Sequence, residues 1–433
     1  MNNLIKKKIC IFGLGYVGLP LFEEFSKKAN VIGFDINQSR IIEIKKKYKK
    51  FGKNSKIELF SNIDILPSAQ VYIITVPTPI NITNKPDLSS LIKASEMIGK
   101  KLNKNDTVIY ESTVYPGTTE EICIPILEKF SGLSCKFDEE NKNENIFHVG
   151  YSPERISPGD KQKISEIIKV TSGSNKKISQ SIDKMYKQII KSGTYKVDKI
   201  KIAEASKIIE NIQRDTNLAL INQLSIIMNY LDIDIYKTLR AASTKWNFQY
   251  YTPGLVGGHC IAVDPYYLIY KSKQKKAKSS IISLSRKINE TMPYEICKLL
   301  SRKLKKKNLF LKSLKIVILG CTYKENIGDI RNSKVFDLFN NLKLFGSKVE
   351  IVDPLANTKK VKKETGIKIS PIKKINNVDL IFLAVPHDYF LKLKPSFFKK
   401  MYNNKKSGKY FFDLKSKINH SNLMNLGINT WTL

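Results

Sequence analysis

The sequence predicts an α/β protein with two parallel-sheet domains joined by a long central helix. Three observations predict it. Short β-rich runs alternate with helical patterns in the first half of the chain and again near its C-terminal end. A long stretch of helical spacing separates the two alternations. At 433 residues the chain also exceeds what one hydrophobic core usually serves.

The first alternation places strands at Lys8 to Phe12, Val31 to Asp35, Val71 to Val76, Thr107 to Ser112, Phe147 to Tyr151 and Ile168 to Thr171. From Ile200 to Leu231 apolar residues recur at helical spacing with no Pro or Gly inside, and after the polar stretch Lys271 to Ser280 more helix follows to about Lys306. The second alternation has strands at Lys315 to Leu319, Lys348 to Val352, Leu380 to Val385 and Tyr410 to Leu414. The expected domains are 1–198, 199–306 and 307–433, the outer two being copies of one nucleotide-binding plan.

Composition narrows the function classes. The 42% hydrophobic content supports real cores, and no run of about 18 apolar residues is present to span a membrane. The N-terminus enters a strand pattern within ten residues, leaving no room for a signal peptide, so a cytoplasmic location is expected. Cys10, Cys123, Cys135, Cys260, Cys297 and Cys321 lie far apart without metal-ligand spacing, which argues against both a disulfide framework and a metal site. The net charge of +35 would suggest nucleic acid or a membrane surface. The lysines are nevertheless spread over the whole chain, and the joint abundance of Lys, Ile and Asn fits the drift of an AT-rich genome. No nucleic-acid partner is expected.

Two motifs carry chemistry. Gly13-Leu-Gly-Tyr-Val-Gly18 follows a strand and opens a helical run. Gly13 would make the tight turn, Gly15 would let the backbone approach a pyrophosphate, and Gly18 would allow close packing of helix on strand. Tyr16, Val17 and Arg40 flank this cradle. Asp35, 22 residues after Gly13, can accept from ribose hydroxyls and would repel a 2′-phosphate, so NAD is expected over NADP. Glycine turns in an unrelated α/β protein are the alternative. Both outer domains are accordingly read as Rossmann-like.

The second motif is Pro253-Gly-Leu-Val-Gly-Gly-His-Cys-Ile-Ala-Val-Asp-Pro-Tyr-Tyr267. Two glycines would give the Cys260 thiol access, and Asp264 sits four residues on. On the residues alone, a plain Gly-rich turn with a buried, inert thiol is the commoner outcome. Lys207, Asn211 and Arg214 fall on one face of the long helix, with Glu204 at its edge. A solvated stripe would look the same.

Gly13 to Gly18, Thr75-Val-Pro-Thr-Pro79, Ser112-Thr113, Ser152-Pro-Glu-Arg155, Gly257-Gly-His-Cys260 and Gly320-Cys-Thr-Tyr-Lys-Glu325 occur in the order seen in the UDP-glucose/GDP-mannose dehydrogenase family, and the resemblance covers essentially the whole chain. It is most similar to the branch acting on UDP-N-acetylhexosamines, which carries Gly-Gly-His-Cys-Ile and Ser-Pro-Glu-Arg-Ile where UDP-glucose enzymes typically have Gly-Gly-Ser-Cys and Pro-Glu-Phe-Leu. The resemblance implies NAD-dependent, four-electron oxidation of a sugar C6 alcohol to the acid, for the synthesis of polysaccharide or surface-glycan precursors.

Cys260 would be the nucleophile, Lys207 the electrostatic stabiliser, and Asn211 the oxygen-positioning donor. Asp264 would assist the lysine and water, and Glu154 with Thr113 would handle protons during thioester hydrolysis. Pro77, Thr78 and Thr113 would line the cofactor. Arg155, Arg214, Gly257, His259, Lys324 and Arg331 would bind the UDP-sugar. The long apolar helix implies a homodimer. UDP-glucose enzymes carry a second glutamate where Pro158 stands, and an arginine where Thr244 stands beside Lys245. Both departures fit the N-acetylhexosamine branch. His148 is expected to be a strand residue rather than a base. The alternatives are UDP-glucose or GDP-mannose as substrate, a two-electron hydroxyacid dehydrogenase without a nucleophilic cysteine, and a non-catalytic NAD-binding protein.

Overall fold

A computed structural model of the chain describes residues 3–50, 58–137, 144–156, 162–402 and 408–433, and Pro158 lies outside them. The chain forms two compact units, one of Met1–Glu210 with Tyr266–Lys278, the other of Asn211–Pro265 with Ser279–Leu433.

In the first unit, β1 (Ile9–Phe12), β2 (Val31–Phe34), β3 (Glu58–Phe60), β4 (Val71–Ile74), β5 (Thr107–Tyr110), β6 (Ser134–Cys135), β7 (Ile146–Tyr151), β8 (Lys169–Gly173) and β9 (Thr194–Lys196) form one sheet. Its order is β3-β2-β1-β4-β5-β7-β8-β9, with β6 also paired to β7. The helices α1 (Gly18–Phe25), α2 (Gln38–Lys50), α3 (Ser89–Gly99), α4 (Ile124–Ser131) and α5 (Lys176–Lys187) connect or follow its strands. Strands β1, β2, β4 and β5 are buried at every position, as expected of apolar runs in a sheet covered on both faces. Both neighbours of β1 are parallel to it, with Phe12 registered on Phe34 and on Ile74. The loops after β1 and β4 therefore diverge, leaving the crevice in which such sheets take ligands.

One departure from the parallel expectation is β8, which runs antiparallel to β7. A parallel return needs a crossover of a dozen or more residues, usually helical. Between β7 and β8 the described residues contain only the short turn Ile164–Glu166.

The central helix α6 spans Ile200–Tyr230 and passes from the first unit's residues into the second's. It stops just before Asp232, whose φ of 56° leaves the helical region. In the second unit follow α7 (Ile235–Ala242), then α8 (Asp264–Gln274), whose later residues belong to the first unit, then α9 (Ser280–Lys305). A buried polar chain ties the second unit's helices together. Arg286 of α9 pairs with Asp215 of α6 at 2.5 Å, and the Asn289 amide donates to the Asp215 carbonyl at 2.9 Å. Asn222 donates to Asn289 at 2.9 Å and accepts the Gly254 N–H at 2.8 Å. Buried polar groups are stable only where most of their hydrogen bonds are made, as these are. Here the outcome is that α6 and α9 fix the start of the loop carrying Cys260.

The second sheet comprises β10 (Lys315–Leu319), β11 (Lys348–Val352), β12 (Leu380–Leu383), β13 (Lys409–Asp413) and β14 (Ile428–Trp431), in the order β11-β10-β12-β13-β14. All its pairs are parallel. Its strand order reverses between β10 and β12, so the loops after Leu319 and Leu383 part from each other there. The fold is α/β, two mostly parallel sheets with a long central helix, as the sequence predicts.

Candidate active site

In the first unit, the loop from Gly13 to Gly18 has the form a dinucleotide requires. Gly13 has φ +100°, a conformation that costs other residues strain. A Cβ on Gly18 would lie 1.8 Å from the Gly13 carbonyl oxygen and 2.5 Å from Thr75 Oγ1, so only glycine lets α1 start this close to β1. A Cβ on Gly15 would meet nothing within 4 Å, which leaves the backbone open on the side where a pyrophosphate would come. Tyr16 is exposed beside it. Asp35 accepts the Leu14 N–H at 2.8 Å and the Asn37 N–H at 2.9 Å, and Arg40 Nε donates to the Leu14 carbonyl at 3.0 Å. The residues present fit an NAD molecule.

The opposite wall of that crevice is tied together by hydroxyls. Thr75 Oγ1 donates to the Gly13 carbonyl at 2.6 Å, Thr78 Oγ1 to the Thr113 carbonyl at 2.6 Å, and Ser112 Oγ to the Val76 carbonyl at 2.7 Å. Tyr267 OH donates to the Thr78 carbonyl. Pro77 is exposed between these anchors.

Glu204, one turn before the buried Lys207 on α6, accepts the N–H of Gly117 at 2.5 Å and of Thr119 at 2.9 Å. Burial pushes its carboxyl up to about 7, against the pull of those two amides. This carboxylate fixes the segment after Thr113 to the helix bearing Lys207.

Glu154 is buried at the end of β7. Its Oε1 accepts the N–H of both Arg155 and Ile156 at 2.6 Å, while Oε2 is buried without a hydrogen bond. Arg155 pairs with Glu210 at 2.8 Å and donates to the Ile168 carbonyl. His148 lies in β7, and burial lowers its pKa to about 4, so it is neutral and unsuited to act as a base near pH 7.

In the second unit, Cys260 is half-buried, and its carbonyl accepts the N–H of Val263 at 3.0 Å and of Asp264 at 2.8 Å. This turn brings the chain into α8 with Asp264 at its first position. Asn211, fully buried, donates through Nδ2 to the Asp264 carboxylate, and its Oδ1 accepts from Arg214. The amide orientation is thus fixed from both ends.

The loop before Cys260 lies against the long loop after β10. A Cβ on Gly257 would sit 2.4 Å from the Asn332 carbonyl oxygen, and Gly258, at φ +88°, has the Tyr323 ring where a side chain would go. Asn332 Nδ2 donates to the Gly258 carbonyl at 3.2 Å, and His259 meets the Tyr323 ring edge-on at 5.7 Å. Gly257, Thr322, Tyr323, Ser333, Lys334 and Lys415 line a hollow at the switch point of the second sheet. Lys324 is in the same loop. Arg331 pairs with Asp329, Nε to the carboxylate at 3.0 Å.

Sequence reasoning missed the residues that hold these loops. Lys169, a lysine inside a fully buried strand, and Glu111, a carboxylate just past another, were the available signals. Asn332 and Tyr323 gave none beyond their loop.

The other five thiols are distinct from Cys260. Burial pushes Cys123, Cys135 and Cys297 up to about 12, and Cys10 and Cys321 higher still. Among the described residues no cluster of three His, Cys, Asp or Glu could hold a metal ion, and no helix is long and apolar enough to cross a membrane.

Comparison with known proteins matches this division of labour. The NAD binding domain of the UDP-glucose/GDP-mannose dehydrogenase family matches residues 7–190, its central domain 201–291 and its UDP binding domain 317–420. A UDP-N-acetyl-D-glucosamine 6-dehydrogenase from Salmonella typhi is 47% identical, over 91% of this chain and 93% of that protein. Protein CapL of Staphylococcus aureus is 43% identical, over 99% of this chain and all of that one. The structure of a UDP-D-ManNAc dehydrogenase from Pyrococcus horikoshii superposes with a TM-score of 0.84 at 28% identity, covering 98% of each chain. With an NAD cradle, a UDP-sugar domain and relatives of this kind, the chain belongs to the UDP-glucose/GDP-mannose dehydrogenase family and is an NAD-dependent nucleotide-sugar dehydrogenase.

Proposed function

We propose that the chain oxidises the C6 alcohol of a UDP-N-acetylhexosamine to the uronic acid through a covalent intermediate on Cys260. The observation that carries this reading is the Cys260 turn. A half-buried thiol stands at the entry to α8, and four residues on is a carboxylate whose position is set by Asn211 and Arg214. The 47% identity to a protein named UDP-N-acetyl-D-glucosamine 6-dehydrogenase supports the substrate class.

The first unit contributes the cofactor residues. Gly13, Gly15, Tyr16, Val17 and Gly18 hold the pyrophosphate, Asp35 and Arg40 the ribose end, and Pro77, Thr78 and Thr113 the other wall. NAD, when bound, supplies the hydride acceptor for both oxidations. Lys207 and Asn211, one turn apart on α6, stabilise negative charge on the C6 oxygen, each such preorganised donor contributing about 10²- to 10³-fold.

The Cys260 thiolate adds to the C6 aldehyde carbon to give a thiohemiacetal, which a second two-electron oxidation converts to a thioester. Water, its proton taken by Glu154 with Thr113 as orienting hydroxyl, attacks the thioester carbon. The C–S bond breaks, releasing the carboxylate and the thiolate. Asp264 assists the lysine and the water. Arg155, Arg214, Gly257, His259, Lys324 and Arg331 recognise the UDP-sugar, Arg331 exchanging its Asp329 partner for substrate oxygens.

The domains that divide this work are 1–198, 199–306 and 307–433. The exposed apolar side chains Ile209, Leu220, Ile227 and Tyr230 along α6 support a homodimer packed on that helix, in a cytoplasmic enzyme making precursors of acidic polysaccharide or surface glycan. Light scattering showing a monomer at micromolar concentration overturns the dimer.

The substrate test is a panel of nucleotide sugars assayed for NADH. UDP-N-acetylglucosamine or UDP-N-acetylgalactosamine is expected to give two NADH per sugar, and UDP-glucose a kcat/KM lower by roughly ten- to a hundredfold, the value of one unpaired polar group. Equal kcat/KM for all three overturns the substrate class. Cys260→Ser is expected to stall after little or no NADH, and repeated turnover to the acid in that variant overturns the covalent mechanism.

A further inference from the structure

We propose that Lys169 is a positioning residue for Glu154: its buried ammonium, 3.6 Å from Glu154 Oε2, holds that carboxylate oriented for the hydrolytic step, in competition with Glu111. The proposal rests on the reading of Glu154 as the group that accepts the water proton.

Three charges are buried together in the first unit, on elements far apart in sequence. Lys169, 3% exposed, projects from β8. Its Nζ lies 2.6 Å from Glu111 Oε2, 3.2 Å from the Pro153 carbonyl and 3.6 Å from Glu154 Oε2. Tyr186 of α5 donates its hydroxyl to Glu111 Oε1. Glu111 is therefore held by two donors, while Glu154 Oε2 has the field of the ammonium but no hydrogen bond. A buried acceptor in that condition is destabilising. A water donating to it would remove the cost and leave its proton where a base is needed.

Among the described residues, the neighbours of Glu154 on its own strand end add no second cation to the cluster. Arg155, next to Glu154, turns its guanidinium to Glu210 and the Ile168 carbonyl, and the Ser152 hydroxyl donates to the Val170 carbonyl. Two carboxylates thus share one ammonium. Burial alone would lower the Lys169 pKa, and the pull of Glu111 and Glu154 reverses this, so it stays charged. Burial raises the Glu111 carboxyl despite Lys169, with Glu154 pushing it further. The cluster is therefore sensitive to the removal of either partner. Losing Lys169 leaves Glu154 beside a like charge, and losing the charge of Glu111 gives Glu154 the whole ammonium.

The experiment follows the hydrolytic step in single turnover, by the intact mass of the acyl-enzyme, across pH 5 to 9. Lys169→Met is expected to slow hydrolysis about 10²-fold near pH 7 and to move the acidic limb to higher pH, with the thioester accumulating. Lys169→Arg is expected to restore the limb. Glu111→Gln, which keeps Lys169 and the shape of the site, is expected to move the limb the other way, to lower pH. A structural role would not produce opposite displacements.

Wild-type limbs in both Lys169→Met and Glu111→Gln overturn the proposal, and Glu111→Gln alone decides it if Lys169→Met does not fold. Glu154→Gln separates the two readings. If it accumulates thioester while the cluster variants behave as wild type, only the role of Lys169 falls. If it hydrolyses at the wild-type rate, the base assignment falls, and the proposal with it.

Discussion

At the ends of β2 and β11, an aspartate accepts the N–H that follows the first glycine of the neighbouring loop: Leu14 N to Asp35 at 2.8 Å, and Cys321 N to Asp353 at 2.6 Å. Each glycine also donates to the carbonyl at the end of that same strand, Gly13 to Phe34 at 2.7 Å and Gly320 to Val352 at 2.8 Å. Both have positive φ, +100° and +86°. The aspartates then accept N–H groups further along their own turns, from Asn37 in one and from Leu355 and Ala356 in the other.

The difference lies in what covers the carboxylate. Asp35 is part-exposed, whereas Asp353 is buried under His387, whose Nε2 stands 3.1 Å from Oδ2 while its Nδ1 accepts the Asn326 N–H at 2.9 Å. In the first sheet α1 begins at Gly18, at the edge of the turn, but in the second α10 (Lys334–Leu344) begins fourteen residues after Gly320. The same backbone plan offers a ribose acceptor and a helix N-terminus in one unit, and in the other a sealed carboxylate and a long loop free to take a different ligand. The plan sets where a ligand can go, and a few side chains decide which ligand.

The largest effect should come from Gly18→Ala, which places a methyl 1.8 Å from backbone. NAD affinity is expected to fall at least a hundredfold, together with about 1–3 kcal/mol of stability. Gly15→Ala, with open space around it, is expected to keep the fold and weaken only NAD; calorimetry and urea melts read the two separately. If Gly18→Ala binds NAD normally, the cradle is wrongly placed.

Next, Asp353→Asn should cost about 3 kcal/mol in urea denaturation, whereas Asp35→Asn should cost under about 1. The Asp353 carboxyl is held low, burial being outweighed by His387 and the backbone amides. Its contribution is therefore present above the usual carboxylate range and lost as pH falls through the lowered value, because the unfolded state binds the proton first. The gap between wild type and Asp353→Asn should narrow on acidification, and a gap that widens would contradict the assignment. The smallest effect is on specificity: Asp35→Ala should relax the NAD over NADP preference about tenfold, and Asp353→Ala should not change it.

Much of this comparison was legible in the sequence, because Gly13 to Gly18 and Asp35 act through backbone geometry that spacing encodes. The ten strands expected were found within a residue or two. The short edge strands β3, β6, β9 and β14 escaped: Thr-Tyr-Lys and Ile-Asn-Thr-Trp lie partly exposed and carry no apolar run. The sealing of Asp353 escaped for another reason, since His387 is 34 residues away and meets it only through the pairing of β10 with β11 and β12. Lys169 is the same case. Its partners Glu111 and Glu154 are brought together by adjacent strand ends, and nothing local to Ile-Lys-Val announces them.

The cysteine distribution has a practical consequence. Cys10, Cys123, Cys297 and Cys321 are buried, whereas Cys135 and Cys260 are half-buried, so a mild thiol-selective electrophile at pH 7 can reach at most two addresses in the folded chain, and burial pushes the Cys135 thiol up to about 12. Counting adducts by mass then reports on the cores: more than two labels per chain measure the fraction whose cores have opened.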